Sequence, residues 1–237
     1  MRLSRRAIVG LSATLLPARP AAQAAPAVDL LLVMAMDASG SIDAEEFRLQ
    51  REGLADSVGH PLVIAAIASK PHGAIAVAMT EWGSPGGATT MVGWMAVRDA
   101  SSGRALAEAI RAAPRSRQSF NAIGDAIGHA SALIAAAPFR AGELVIDVAG
   151  DGPDMRSILP APEARDAAVA RGITVNALAI EVSPVTRFGG PLRAHYERDV
   201  IGGPGAFVMV AETRADFARA MRAKLIREIA GGPHGIG

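Results

Sequence analysis

Asp37, Ser39 and Ser41 put one carboxylate and two hydroxyls on alternate residues of the short stretch Asp37-Ala38-Ser39-Gly40-Ser41. Two other stretches carry oxygens of the same kind. Gly150-Asp151-Gly152-Pro153-Asp154 sets a carboxylate between glycines that let the backbone turn sharply, and Ser119-Phe120-Asn121 offers a hydroxyl and an amide oxygen. Two carboxylates with several neutral oxygens, and neither thiolate nor imidazole among them, suit a small hard cation: Mg²⁺, or Mn²⁺ or Ca²⁺ in its place. Hydroxyl ligands leave such an ion under-neutralised, so it keeps an open position that an acidic group from elsewhere can fill. Capping of a helix accounts for a serine at 39 or 41 but leaves Asp37 and Asp151 unexplained. Covalent chemistry is the alternative, with Asp37 as the nucleophile of a metal-dependent hydrolase or phosphotransferase. Against it, no His or Lys stands near the motif as acid or base, Asp37-Ala38-Ser39 is not a D-x-D start, and Ser39 is not in a G-x-S-x-G elbow. A third reading is a metal-free scaffold in which Asn121 has closed the site.

These stretches act together only if a fold joins them, and the hydrophobic pattern describes one. Residues 28–36 (VDLLLVMAM) form an apolar run too short for a membrane and bounded by Pro26 and Asp37, as in a central strand covered on both faces. From Asp43 the spacing becomes helical, with Phe47, Leu54 and Val58 on one stripe, Asp43 and Glu46 as a capping box, and Gly59 and Pro61 closing the segment. The alternation continues. Strands are predicted at 74–82, 91–96, 144–149, 173–180 and 206–210, the second pairing with the first as an antiparallel hairpin. Helices are predicted at 99–113, 121–137, 163–171 and 213–229, the last with Phe217, Met221, Leu225 and Ile229 on one face. The Gly- and Pro-rich segment 183–205 reads as a surface loop with a short helix around His195 and Tyr196. Strands alternating with helices imply a mostly parallel sheet whose loops after the strands line the binding crevice; two of the oxygen-bearing stretches follow strands, and Ser119-Phe120-Asn121 leads into the helix at Ile123.

Composition narrows the rest. Residues 1–25 carry Arg2, Arg5, Arg6 and Arg19, no acid, a short apolar run and Ala22-Gln23-Ala24, which together read as an export signal of twin-arginine-like type. Residues 26–237 then make one domain, periplasmic or secreted. Without the four arginines the formal charge falls from +1 to −3, so nucleic acid is not an expected partner. The chain has no cysteine, so a bound metal rests on O or N ligands and no disulfide framework is available. No later segment is apolar enough to span a membrane, and a monomer is expected.

Asp37-x-Ser39-x-Ser41 at the end of a buried first strand, with Asp151-Gly152 after a later one, resembles the metal-ion-dependent adhesion site of von Willebrand factor A (vWA) domains. The resemblance runs from about residue 28 to 229. Stretches such as Gln50-Arg51-Glu52-Gly53, Val145-Ile146-Asp147-Val148 and Ile201-Gly202-Gly203-Pro204-Gly205 resemble an uncharacterised subfamily of exported bacterial proteins. It implies a three-layer Rossmann-like α/β fold, with a six-stranded, mostly parallel sheet, one antiparallel edge strand and helices on both faces. It also implies a non-catalytic, metal-dependent module that binds a protein partner through that partner's acidic side chain. Ser39 and Ser41 would be direct ligands, and Asp37 and Asp151 would act directly or through water. Asn121 stands where the pattern has Thr, so a longer amide replaces a compact hydroxyl.

Other polar residues are read structurally. Asp147, inside an apolar strand, needs a buried partner. Asp125 is expected to favour its helix dipole or to support the site from behind. Glu81 and Trp82 end a strand and either line the crevice or sit in the interior. His60, His72, His129, His195 and His234 are scattered without ligand spacing and read as surface or loop residues.

Overall fold

A computed structural model of the chain describes residues 24–181, 185–186 and 189–231. The expected export segment therefore lies almost wholly outside the described residues, as does His234. The elements run β1 (Ala27–Asp37), α1 (Ala44–Val58), α2 (Pro61–Ala68), β2 (Ile75–Trp82), β3 (Thr89–Val97), α3 (Ala100–Ala112), α4 (Ile123–Ala135), β4 (Arg140–Gly150), α5 (Ala161–Val169), β5 (Thr174–Ile180), α6 (Leu192–Asp199), β6 (Val208–Ala211) and α7 (Phe217–Ala230). A single 3-10 turn, Arg214–Asp216, leads into α7.

The six strands form one sheet in the order β3-β2-β1-β4-β5-β6, parallel except for the antiparallel pairing of the edge strand β3 with β2. β1 is the spine. Its side chains alternate in direction, so Leu30, Leu32, Met34 and Met36 pack under α1, α2, α3 and α7, while Leu31, Val33 and Ala35 pack against α4, α5 and α6. With both faces covered, β1 reads as one continuous apolar run, and it ends where its first carboxylate after the sheet's centre, Asp37, is still buried.

Local signals set the helix starts. Asp43 Oδ1 accepts from the Glu46 N–H at 2.8 Å and Glu46 Oε2 accepts from the Asp43 N–H at 3.0 Å, the reciprocal box that opens α1. Pro61 does not merely close α1: it is the first residue of α2, where its missing N–H costs nothing. That helix, eight residues long, escaped the periodicity argument because it follows α1 after only two residues. α4 has no cap of its own. Asp154, from beyond β4, accepts from the Ile123 N–H at 2.8 Å and the Gly124 N–H at 3.3 Å.

Asp147 of β4 has the buried partner it requires. Lys224 Nζ of α7 lies 2.6 Å from its Oδ1 and also contacts Glu228 one turn on. Lys224 and Glu228 sit on the same buried side of α7 as Phe217, Met221, Leu225 and Ile229. The last helix thus buries the expected stripe of Phe217, Met221, Leu225 and Ile229 together with two charged residues.

Gly124, in the first turn of α4, passes so close to the loop before α5 that an added Cβ would meet the Leu159 carbonyl oxygen at 1.8 Å. A glycine-to-alanine change within a helix ordinarily gains about 1 kcal/mol. Gly124→Ala is expected to lose about 2 kcal/mol instead, because backbone must move to admit the methyl. Urea unfolding of the two proteins checks the sign.

Candidate metal centre

The carboxyl ends of β1 and β4 are adjacent, and the loops that leave them bound a cleft of about 420 Å³. Ser39, Ser41, Ser119, Asn121, Asp151 and Arg214 are among its lining residues. Four of the five predicted site residues, Ser39, Ser41, Asn121 and Asp151, therefore share one cavity, contributed by three separate loops. The fifth, Asp37, lies beneath it, almost wholly buried.

The loop after β1 is held tightly. The Ser39 N–H donates to Asp37 Oδ1 at 2.7 Å, and the hydroxyls of Ser39 and Ser41 lie 3.0 Å apart. Arg115 Nη2 donates to the Ile42 carbonyl at 2.7 Å and anchors the far end of that loop. Gly152 is glycine for a steric reason: a Cβ there would meet Asn121 Nδ2 at 2.1 Å. Asn121 thus reaches the cleft only because position 152 has no side chain. The Gly152 carbonyl in turn accepts from the buried Tyr196 hydroxyl at 3.1 Å.

Electrostatics follow from burial. Asp37 is pushed up to about 7, first by desolvation and next by the neighbouring Asp151 charge, against the opposing hydrogen bond from Ser39. Its Oδ2 is buried and accepts no hydrogen bond. The Tyr196 hydroxyl is pushed far above its ordinary range, mainly by burial and then by Asp37, Asp151 and Asp154. The floor of the cleft is negative in character. A divalent cation, held by two carboxylates, hydroxyls and an amide oxygen, could offset that charge and satisfy the orphaned Asp37 oxygen. Among the described residues, no three His, Cys, Asp or Glu side chains converge as a metal cluster, so such an ion would lean on neutral oxygens.

One cation already stands there. Arg214 Nη2 lies 2.8 Å from Asp151 Oδ2, and its Nε lies 2.6 Å from Glu46 Oε1 of α1. Sequence reasoning missed Arg214, and missed Glu181, another residue lining the cleft. Both follow parallel strands, β6 and β5, at the ends the crevice rule names. Applying that rule to all five parallel strands would have found them.

Other readings are decided by the geometry. Glu81 contacts buried Arg51 and accepts from the Ser116 N–H at 2.7 Å, and Trp82 is fully buried, so both belong to the interior. Asp125 accepts from the Gly86 N–H at 2.9 Å and the Ile158 N–H at 3.1 Å, tying two loops to α4. His195 corrects the expectation of a surface histidine: it is buried on α6, with Nε2 2.7 Å from the Gly189 carbonyl and 3.0 Å from the Thr186 hydroxyl.

A sequence profile of the family described as "Protein of unknown function (DUF1194)" matches residues 27–233. The chain belongs to the DUF1194 family. Among functionally curated proteins none matches the sequence. Solved structures match this DUF1194 protein at low identity. Proximal thread matrix protein 1 of the mussel byssus shares 18% identity at a TM-score of 0.61, over 86% of this chain and 47% of that one. A second structure of the mussel protein has a zinc-occupied MIDAS motif, the metal-ion-dependent adhesion site. The vWF domain of the type V pili tip protein Mfa5 from Porphyromonas gingivalis shares 11% identity at 0.60, over 89% and 98% of the two chains. A von Willebrand factor type A structure from Catenulispora acidiphila shares 18% identity at 0.59, over 85% and 43%. This DUF1194 chain spans about half the length of the mussel protein. Its fold is the vWA fold, six strands with one antiparallel edge and helices on both faces.

The raised Asp37 makes stability depend on pH. Unfolded, Asp37 titrates near 3.8; folded, near 7. Between those values the folded chain binds a proton that the unfolded chain has lost, so rising pH costs stability. In chelator, the stability of the unaltered protein relative to Asp37→Asn is expected to fall as pH rises from 4 to 7 and to level off above that. Urea unfolding across that range checks it, and a flat difference contradicts the desolvated carboxyl.

Proposed function

We propose that this DUF1194 domain is an exported, non-catalytic protein-binding module. It holds a divalent cation on Ser39, Ser41 and Asn121, with Asp37 and Asp151 acting directly or through water, and offers an open position to an acidic side chain of a partner protein. The observation that carries this reading is the buried, partnerless Asp37 Oδ2 beneath a cleft to which three loops bring hydroxyl, amide and carboxylate groups. The zinc-occupied motif of the mussel protein supports metal binding on this fold. Here the donors are all oxygen, which favours Mg²⁺, Mn²⁺ or Ca²⁺ over a softer ion. The signal-like residues 1–25 support a periplasmic or secreted location, and among the described residues no helix is long and apolar enough to cross a membrane.

Arg214 gives the metal-free scaffold its own support, since its guanidinium already neutralises Asp151. The two readings differ in what a cation must do. On the binding reading, the ion takes Asp151 and leaves Arg214 with Glu46. On the scaffold reading, Arg214 keeps Asp151 at any metal concentration.

Addition of Mg²⁺ or Mn²⁺ is expected to raise the melting temperature of the full chain and to leave Asp37→Ala unmoved. At a hundred times its Kd a cation stabilises the folded state by about 2.7 kcal/mol. Ser41→Ala, at an exposed position, should weaken that response roughly tenfold in Kd, a loss of about 1.4 kcal/mol. No shift with any divalent ion would reject the cation and leave the scaffold. Where a shift is seen, chelator-reversible capture of a protein from periplasmic extract tests the partner.

Arg214→Gln removes the competing charge, so it should tighten cation binding by about tenfold, read by calorimetric titration. Unchanged affinity would mean that Arg214 and the ion do not share Asp151.

A further inference from the structure

The ionic cluster between α7 and the sheet takes no part in the cleft. Lys224 is fully buried, Asp147 is 1% exposed and Glu228 6%. Asp147 lies in the middle of β4, paired in register with Met34 of β1 and Asn176 of β5. Asn176 Nδ2 donates to Glu228 Oε1 at 2.9 Å, and its own Oδ1 accepts from the Phe207 N–H at 3.0 Å. Lys224 Nζ sits 5.1 Å from the centre of the Phe207 ring. Val145, Leu178, Met221 and Leu225, neighbours of these residues along β4, β5 and α7, belong to the larger apolar core.

Such a cluster is hard to explain as a simple ion pair. Two carboxyl groups and one ammonium share a site with little access to water, where every charge that persists is costly. Lys224 Nζ is 2.6 Å from Asp147 Oδ1, so the amine and the carboxyl group are already in contact. Glu228 contacts the same amine from the other side, and its Oε2 is without a partner.

We propose that Lys224 and Asp147 condense to an intramolecular amide, an isopeptide bond that joins α7 covalently to the centre of the sheet. Burial foremost, and the Glu228 charge next, hold the Asp147 carboxyl up to about 7, so the protonated acid is populated near neutrality. The reaction starts from ammonium, carboxylic acid and the Glu228 carboxylate, which together are neutral. Glu228 takes one proton from Lys224, and the freed amine attacks Asp147 Cγ. The C–N bond forms, the bond from Cγ to its hydroxyl oxygen breaks, and water leaves. Of the three ammonium protons one stays on the amide nitrogen, one leaves in the water and one remains on Glu228. Every charge in the pocket is gone at the end, which is the driving force in an apolar interior. Fixed approach of amine to carboxyl supplies the rate, as it does whenever two reactants are held in contact. Glu228 acts as the proton carrier, and Asn176 holds it in place. The chain has no cysteine, so no disulfide can make such a tie.

The test is the mass of the folded, purified full chain and of its tryptic peptides. With the bond present, the intact mass is lower by one water, cleavage after Lys224 is blocked, and residues 141–156 appear joined to residues 223–227. Release of residues 141–156 alone, at the mass of the free peptide, would overturn the proposal. Glu228→Gln preserves size and removes the proton carrier, so it should restore the lost water and the separate peptides while circular dichroism reports an intact fold. A linked product in that variant would overturn the role of Glu228. The map of the unaltered chain decides the bond itself, whether or not the variant folds.

Discussion

The reversal of strand order between β1 and β4 is the constraint on which the cleft depends. From β1 the chain builds outward through β2 to the edge strand β3, then returns across the sheet to lay β4 on β1's other side. Right-handed crossovers place the helices that follow these two strands on opposite faces, so the loops leaving them diverge and the ground between them stays open. The gap needs no special residue to create it. What the sequence adds is chemistry at its rim: Asp37 and the two serines on one side, Asp151 on the other, and Asn121 from the loop that enters α4.

Burial then decides how those groups behave. Asp37 sits at the foot of a strand covered on both faces, so its carboxylate is desolvated before any ligand is considered. A proton, a metal ion or a guanidinium can each compensate the negative floor, and the three exclude one another to differing degrees. Arg214 reaches the same place from the far end of the chain. Its second contact, to Glu46, means that a first-turn residue of α1 and the residue that follows β4 share one counter-charge. The opposite face of the sheet meets the same difficulty at Asp147, where the compensating amine comes from α7 and lies 2.6 Å from the carboxyl oxygen.

Much of this was legible in the sequence because the relevant signals are local. The run at 28–36, the capping box of Asp43 and Glu46, and the hairpin around 83–90 each follow from neighbours in the chain. So did the oxygens of the cleft, since the ends of parallel strands are marked by breaks in apolar runs. What escaped had a partner distant in sequence. Arg214 reads as an ordinary helix-start arginine until Asp151 is seen beside it, and Lys224 reads as a solvated lysine on an amphipathic helix until Asp147 is found beneath. α2 was hidden by its closeness to α1, for Pro61 signals both the end of one helix and the start of another. His195 read as a surface or loop residue, yet its side chain is buried against the Thr186 hydroxyl and the Gly189 carbonyl.

The borrowed cap of α4 bears on how the chain folds. This helix leaves its first N–H groups without acceptors of their own, and they are met by Asp154, 31 residues beyond Ile123. Until the segment past β4 is in place, the amino end of α4 lacks this acceptor. The same aspartate accepts from the Ala161 N–H at 3.1 Å, so a single late-arriving side chain completes two helices together. That part of the cleft wall is therefore completed only when Asp154 has docked, not by the α4 segment alone.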